Sequence, residues 1–372
     1  MPDKNGIIDE GDAGTEAIIK ELEKRIDEDF GMALLEITTM IWDYFKDFRR
    51  RDEQQRKLRD DGKITDDHYK QWRLNQIGRG GRFTALRDKI AARLTETNEL
   101  AISYVNDALP AVYALNRNYT AFAIDRLTGG RYTLDHGASM GIDFTLWDEH
   151  TVRRLIKDRP DLMPYYPEKR AIDRGIDLAY GKLQITKQIT SSILSGDTIK
   201  QIADRLQERI ATMSRASAIR AARTAMTNAQ NAGRQDGYED AARMGITVRK
   251  RWIATKDMRT RPEHGAVDGQ TVPYDQPFDV GGEKLMFPGD SSGSPGNIYN
   301  CRCTMRTVEK EGIEAEPRMM RVRDENGRNV VVPEMTYPEW KKWVEERQSG
   351  AEDKSKDNAA PKKKRKPSKK GE

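Results

Sequence analysis

Two cysteines and one histidine carry most of the chemistry this sequence has to offer. Cys301 and Cys303 are the only cysteines, and His264 is one of four histidines; all three fall between Arg251 and Thr304. Ile298 to Met305 reads as a strand, in which residues two apart face the same side, so both thiols point one way. The extended backbone would strain a disulfide between such neighbours. Two thiols and an imidazole suit a soft cation such as zinc, and Asp257 or Asp268 can supply an oxygen ligand or orient the ring. A closed zinc site takes four Cys or His ligands. Three are present, which leaves an open coordination position, a carboxylate in fourth place, or no metal. The same residues also suit nucleophilic chemistry, with Cys301 and His264 as nucleophile and base and Asp257 as orienter. The third reading is that all three simply pack in a core, and residue types alone leave the three open. His68, His136 and His150 have no ligand partner close by and read as solvated or packing side chains.

The elements that must position these residues form a small β-rich unit. Ile246 to Ile253 alternates like a strand, and Thr271–Val272 and Leu285–Phe287 are shorter strand candidates. Asp257–Arg261 and Asp268-Gly269 read as turns. Pro288-Gly289-Asp290 opens a flexible stretch before the cysteine strand. The helix leading into this unit, from Ser214 as cap to Gly245, carries small residues at close spacing, including Ala218, Ala222, Ala225, Ala229 and Gly233. Such a face lets another element approach closely. Its arginines, Arg220, Arg223 and Arg234, read as a solvated polar face rather than as groups aimed at the site.

Upstream, helical periodicity dominates. Apolar residues from Ile18 to Phe48 predict a long amphipathic helix over 16–56, with a break near Gly31. Thr65 caps the next helix. Gly78, Gly80 and Gly81 make a loop without the phosphate-binding spacing. Helices follow over 83–106, from Pro110 to Leu127, and over 168–194; Asp197 caps another over 198–210. After the β-rich unit, Met320 to Val332 reads as a hairpin turning at Asn326-Gly327, and Tyr337 to Arg347 as a short helix. The expected fold class is α+β: a long, mainly helical N-terminal region, then a small β-rich domain docked on helices. The expected divisions are 1–14 disordered, 15–195 helical, 196–310 the domain with the cysteines, 311–348 hairpin and short helix, and 349–372 a disordered basic tail.

Composition narrows the function classes. Hydrophobic residues make up 36% and charged residues 34% of the 372, which fits long solvated helices better than one large core. No run approaches the roughly 18 apolar residues of a membrane span. The acidic start, MPDKNGIIDEGDAG, is unlike a secretory signal. Two cysteines so close together make no disulfide framework and point to a reducing compartment. Residues 351–372 hold nine Lys or Arg against four Asp or Glu. Subtracting these from 65 and 60 leaves 56 of each sign, so the tail carries the whole net charge of +5. Lys362, Lys363, Lys364, Arg365 and Lys366 are its candidate contacts to DNA or another polyanion, through counterion release.

Four blocks occur in one order: IRAARTAMTNAQNAGRQDGY, KRWIATKDMRTRPEHGAVDGQ, FPGD and NCRC. Over about a quarter of the chain they resemble the Mu F-like head-morphogenesis domain of tailed bacteriophages, found in minor head or minor capsid proteins. By that resemblance Arg223, Asp257, Arg259, His264, Asp268, Gly269, Cys301 and Cys303 are the motif positions. The resemblance implies a protein of few copies in the virion, inside the head near the portal, and in the host cytoplasm during assembly. Its implied partners are the portal protein and procapsid, with a part in head assembly, DNA packaging or delivery and no small-molecule substrate. Some relatives are similar to proteins fused to toxin domains; here only a hairpin, a helix and a tail follow Cys303. The rival expectation is a metal-assisted hydrolase or cysteine peptidase of head maturation, built on His264, Asp257 and Cys301.

Overall fold

Buried apolar residues at spacings of three and four set the first helix, α1 (Glu10–Asp60). Ile19, Leu22, Ile26, Phe30, Ala33, Ile37, Ile41, Phe45 and Phe48 form one stripe along it, as a 3.6-residue period requires. The computed structural model describes residues 9–77, 80–127, 146–158, 176–255 and 257–308, the strands 320–323 and 329–332, and pieces of 338–346. The helix begins earlier than its acidic sequence suggests. Asp9 caps it by accepting the Asp12 amide at 2.9 Å, and α1 is ordered where disorder to residue 14 is expected. It also runs unbroken through Gly31, because the buried stripe is continuous there and outweighs the roughly 1 kcal/mol cost of a helical glycine.

Thr65 caps α2 (Asp66–Gln76), as expected. The next helix, α3 (Gly81–Leu127), is single where two are expected, with Pro110 inside it. Proline removes one intrahelical bond, but Leu109, Pro110, Val112 and Tyr113 are all buried, so packing holds the turn in place. After α4 (Glu149–Asp158) and α5 (Ile176–Leu194) comes α6 (Ile199–Arg243). Thr198, not Asp197, caps α6, in a reciprocal box with Gln201. No new helix starts at Ser214. Ile202, Leu206 and Ile210 and then Ala218, Ala222 and Ala225 bury against successive stretches of the same two helices, so the chain gains by staying helical. The expected start of α5 at Glu168 lies outside the described residues.

The three long helices, α1, α3 and α6, form the body. Two core clusters span all three: Ile19–Phe30 of α1 meets Ala101–Val112 and Ala218–Ala229, and Ile37–Phe48 meets Phe83–Leu94 and Ile199–Ile210. Hence α1 runs antiparallel to the other two. The small residues of α6 do what their spacing predicts. A Cβ on Gly233 would land on the Tyr113 carbonyl, and one on Gly237 would lie 2.9 Å from the Thr120 side chain.

The β-rich unit packs at the end of this bundle. Its elements are β1 (Arg249–Ile253), α7 (Pro262–Ala266), β2 (Thr271–Pro273), β3 (Phe278–Val280), β4 (Glu283–Leu285), α8 (Pro295–Ile298) and β5 (Thr304–Val308). One antiparallel sheet has the order β2-β1-β5, and β3 pairs with β4. In register, Trp252 faces Met305 and Ile253 faces Thr304. Strand β3 is not legible in the sequence. A last pair, β6 (Met320–Arg323) and β7 (Asn329–Val332), matches the expected hairpin, with Met320 opposite Val332. Its Asn326-Gly327 turn and the basic tail lie outside the described residues.

One expectation about the cysteines changes. The strand begins at Thr304, after both thiols. Ile298 closes α8, and Asn300 turns the chain at φ 59°, a left-handed conformation that asparagine tolerates better than most residues. Cys301 and Cys303 therefore sit on the turn entering the sheet. The fold is otherwise the α+β arrangement expected, a helical region followed by small antiparallel sheets.

Candidate functional site

His264, Cys301 and Cys303 come together in the core of the β-rich unit. His264 Nδ1 lies 3.4 Å from Cys303 Sγ and 3.7 Å from Cys301 Sγ. All three residues are at most 4% exposed. His264 rides on α7, a single turn opened by Pro262, where proline's fixed φ suits the first helical position. Behind the imidazole stands Trp252, fully buried on β1, with its ring edge-on to His264 at 5.7 Å and to Phe278 at 5.3 Å. The loop carrying α7 is closed by the expected turn: Asp268 Oδ1 accepts the Ala254 amide at 2.9 Å, and Gly269, at φ 81°, donates to the Trp252 carbonyl.

The two sulfurs are not equivalent. Cys303 and burial hold the Cys301 thiol well above its ordinary value. Cys303 is held low, first by the S–H of Cys301 and also by the His264 ring, against burial. Cys303 is thus the thiolate-prone member of the pair. Its 4% exposure leaves little access for an incoming substrate.

Asp257 does not join this cluster. Its carboxylate makes a two-pronged pair with Arg302, 2.8 Å at the longer contact, and accepts the Arg259 amide at 2.9 Å. The side chain of Arg259 is exposed. Arg223 pairs with Glu23 between α6 and α1. Among the described residues, His264, Cys301 and Cys303 are the sole group of three or more His, Cys, Asp or Glu residues with metal-ligand proximity. His68 and His150 are exposed, as expected.

Residues of α6 that sequence reasoning passes over do the positioning. Thr227 Oγ1 donates to the Cys301 carbonyl at 2.8 Å, and Asn231 Nδ2 to the Cys303 carbonyl at 3.2 Å. Asn231 also holds the Pro288 carbonyl, and Asn228 the Gly289 carbonyl at 2.7 Å. The FPGD turn and the cysteine turn thus hang on one helix face. A sequence signal exists: Thr227, Asn231 and Arg234 recur at helical spacing among small residues. Arg234 itself corrects the expected solvated face, since it is 2% exposed and donates to Asp9, Asp12, Asn116 and the Met305 carbonyl.

Residues 183–306, which contain this whole constellation, match the family described as Phage Mu protein F like protein. This stretch is a Mu F-like domain. The match extends beyond that domain. The minor head protein GP7 of Bacillus phage SPP1 is 25% identical over 334 residues, covering 87% of this chain and 93% of GP7. The NAD(+)–arginine ADP-ribosyltransferase EFV of Enterococcus faecalis is 31% identical over 210 residues, 56% of this chain. The chain spans only 40% of that transferase's length. No solved structure matches. A Mu F-like minor head protein of a bacteriophage has capsid-assembly partners and a place in the virion. Among the described residues no helix is long and apolar enough to cross a membrane.

Proposed function

We propose that this Mu F-like chain joins the procapsid beside the portal and docks there through its helical body. The observation that carries the proposal is an apolar strip on α1. Met32 is 54% exposed, Leu35 71% and Trp42 39%, at positions i, i+3 and i+10, on the side of α1 opposite its buried stripe. Exposed apolar side chains grouped on one face mark interaction surfaces. The similarity to GP7, which extends over the helical region, supports an assembly role for that body. Co-expression with a tagged portal protein of the same phage tests the docking. Capture of the wild-type chain, lost in a Met32→Glu/Leu35→Glu variant with unchanged helical circular dichroism, is the expected result. Equal capture of both would place the contact elsewhere.

A second role, contact with packaged DNA, follows from the charge of residues 351–372. Lys362, Lys363, Lys364, Arg365 and Lys366 concentrate positive charge, and such contacts weaken steeply with salt. Deleting 351–372 should abolish salt-dependent DNA binding; retention would remove this role.

A further inference from the structure

We propose that His264 Nδ1, Cys301 Sγ and Cys303 Sγ bind one zinc-class cation, which clamps α7 to the turn entering β5. The separations are those of ligands around a tetrahedral ion. With Zn–S about 2.3 Å and Zn–N about 2.0–2.1 Å, a nitrogen-to-sulfur edge comes to about 3.5–3.6 Å. The two observed edges, 3.4 and 3.7 Å, lie on either side of it. All three ligand atoms fall within 4.8 Å of one another.

The surroundings are built for a metal-bound thiolate pair. The Cys303 amide donates to Cys301 Sγ at 3.5 Å. Such an N–H group stabilises sulfur that has lost its proton. The carbonyls of both cysteines are tied to α6 by Thr227 and Asn231, so the ligands are held in place before any ion arrives. Two thiolates and an imidazole favour zinc over magnesium or calcium, which prefer oxygen. The cation binds both sulfurs as thiolates, and any proton still on either passes to solvent. Three protein ligands leave one tetrahedral position for a non-protein ligand. The clamp joins positions 37 and 39 residues apart, and the intervening loop carries β2, β3, β4 and α8.

The test uses the full chain, untagged and purified under reducing conditions. Elemental analysis should find about one zinc per chain. After chelation, titration with Co2+ should saturate at about one equivalent, with the visible bands of a tetrahedral ion and sulfur-to-metal charge transfer. A Cys301→Ser/Cys303→Ser variant should lose both the zinc and the charge-transfer band. A wild-type chain with no zinc and no tetrahedral Co2+ spectrum overturns the proposal. So does a folded double variant that keeps both, since the ion would then sit elsewhere. Because the Co2+ titration reads the wild-type chain, it decides the matter even if the variant fails to fold.

Discussion

Arg234 and Asp9, 225 positions apart, meet as a buried two-pronged ion pair with contacts of 2.8 and 3.0 Å. The same guanidinium donates to Asp12 at 2.9 Å and to the Met305 carbonyl at 2.6 Å. One side chain thus ties the start of α1, the C-terminal part of α6 and strand β5 together. Removing one partner of a buried pair leaves the other charge uncompensated, which costs about 3–5 kcal/mol. Arg234→Ala should lose about that much in urea unfolding, and Arg234→Lys should not restore it, because an ammonium cannot reproduce the planar fork. A loss within about 0.5 kcal/mol, the range of ordinary surface changes, would mean the pair is dispensable.

Gly233 sets how closely α6 approaches α3. A Cβ there meets the Tyr113 backbone, with the carbonyl carbon at 3.1 Å, whereas at Gly237 the nearest atoms belong to the Thr120 side chain. Backbone yields less readily than a side chain. Gly233→Ala should destabilise by about 1–3 kcal/mol or more, as overpacking does, and by more than Gly237→Ala. Thermal unfolding of the two variants side by side checks the order; the reverse order would contradict the packing described.

Asn231 links the helix to the site. Its amide donates to the carbonyls of Thr227, Pro288 and Cys303. Asn231→Ala leaves the last two without this donor, at a cost of about 1–3 kcal/mol for a buried unmet group. The same variant should bind Co2+ more weakly than wild type while keeping the same spectrum, because its ligands are intact but less well held. Undiminished stability and affinity would show that these bonds position nothing.

Lys250 is fully buried, with Nζ donating to Gln235 Oε1 at 2.9 Å and to the Met286 carbonyl at 2.8 Å. Burial lowers its pKa from an ordinary 10.5 to about 8, with Glu239, Asp290 and Asp275 partly opposing the shift. Between those values the unfolded chain binds the proton that the folded chain has lost, so stability rises with pH. Relative to Lys250→Met, the wild type should gain on the order of 3 kcal/mol from about pH 7 to pH 10.5. Urea unfolding of both proteins at the two pH values measures the difference. A difference that does not change with pH would mean Lys250 titrates normally.

Much of this fold is legible in the sequence because its helices are long and their apolar spacing is local information. Thr65 and the Ile19-to-Phe48 stripe can be read without knowing what they touch. Helix breaks are less legible: Gly31, Pro110 and Ser214 carry local signals to stop, yet buried turns flank the first two, and α6 continues through Ser214 between buried Ile210 and Ala218. Arg234 looks solvated among its alanines because its partner lies 225 residues away. The cysteine pair shows a subtler case. Strand alternation suggests that the two thiols converge, and they do, but a turn through Asn300 brings them together. Asp257 stands near His264 in sequence, yet Arg302 holds it away from the ring.

The most direct test of assembly with the phage head is sedimentation of procapsids from infected cells, probed for this chain. The chain should travel with procapsids, in few copies each, and be missing from the same fraction when the portal gene is deleted. A chain that stays at the top of the gradient while intact procapsids sediment would contradict the account.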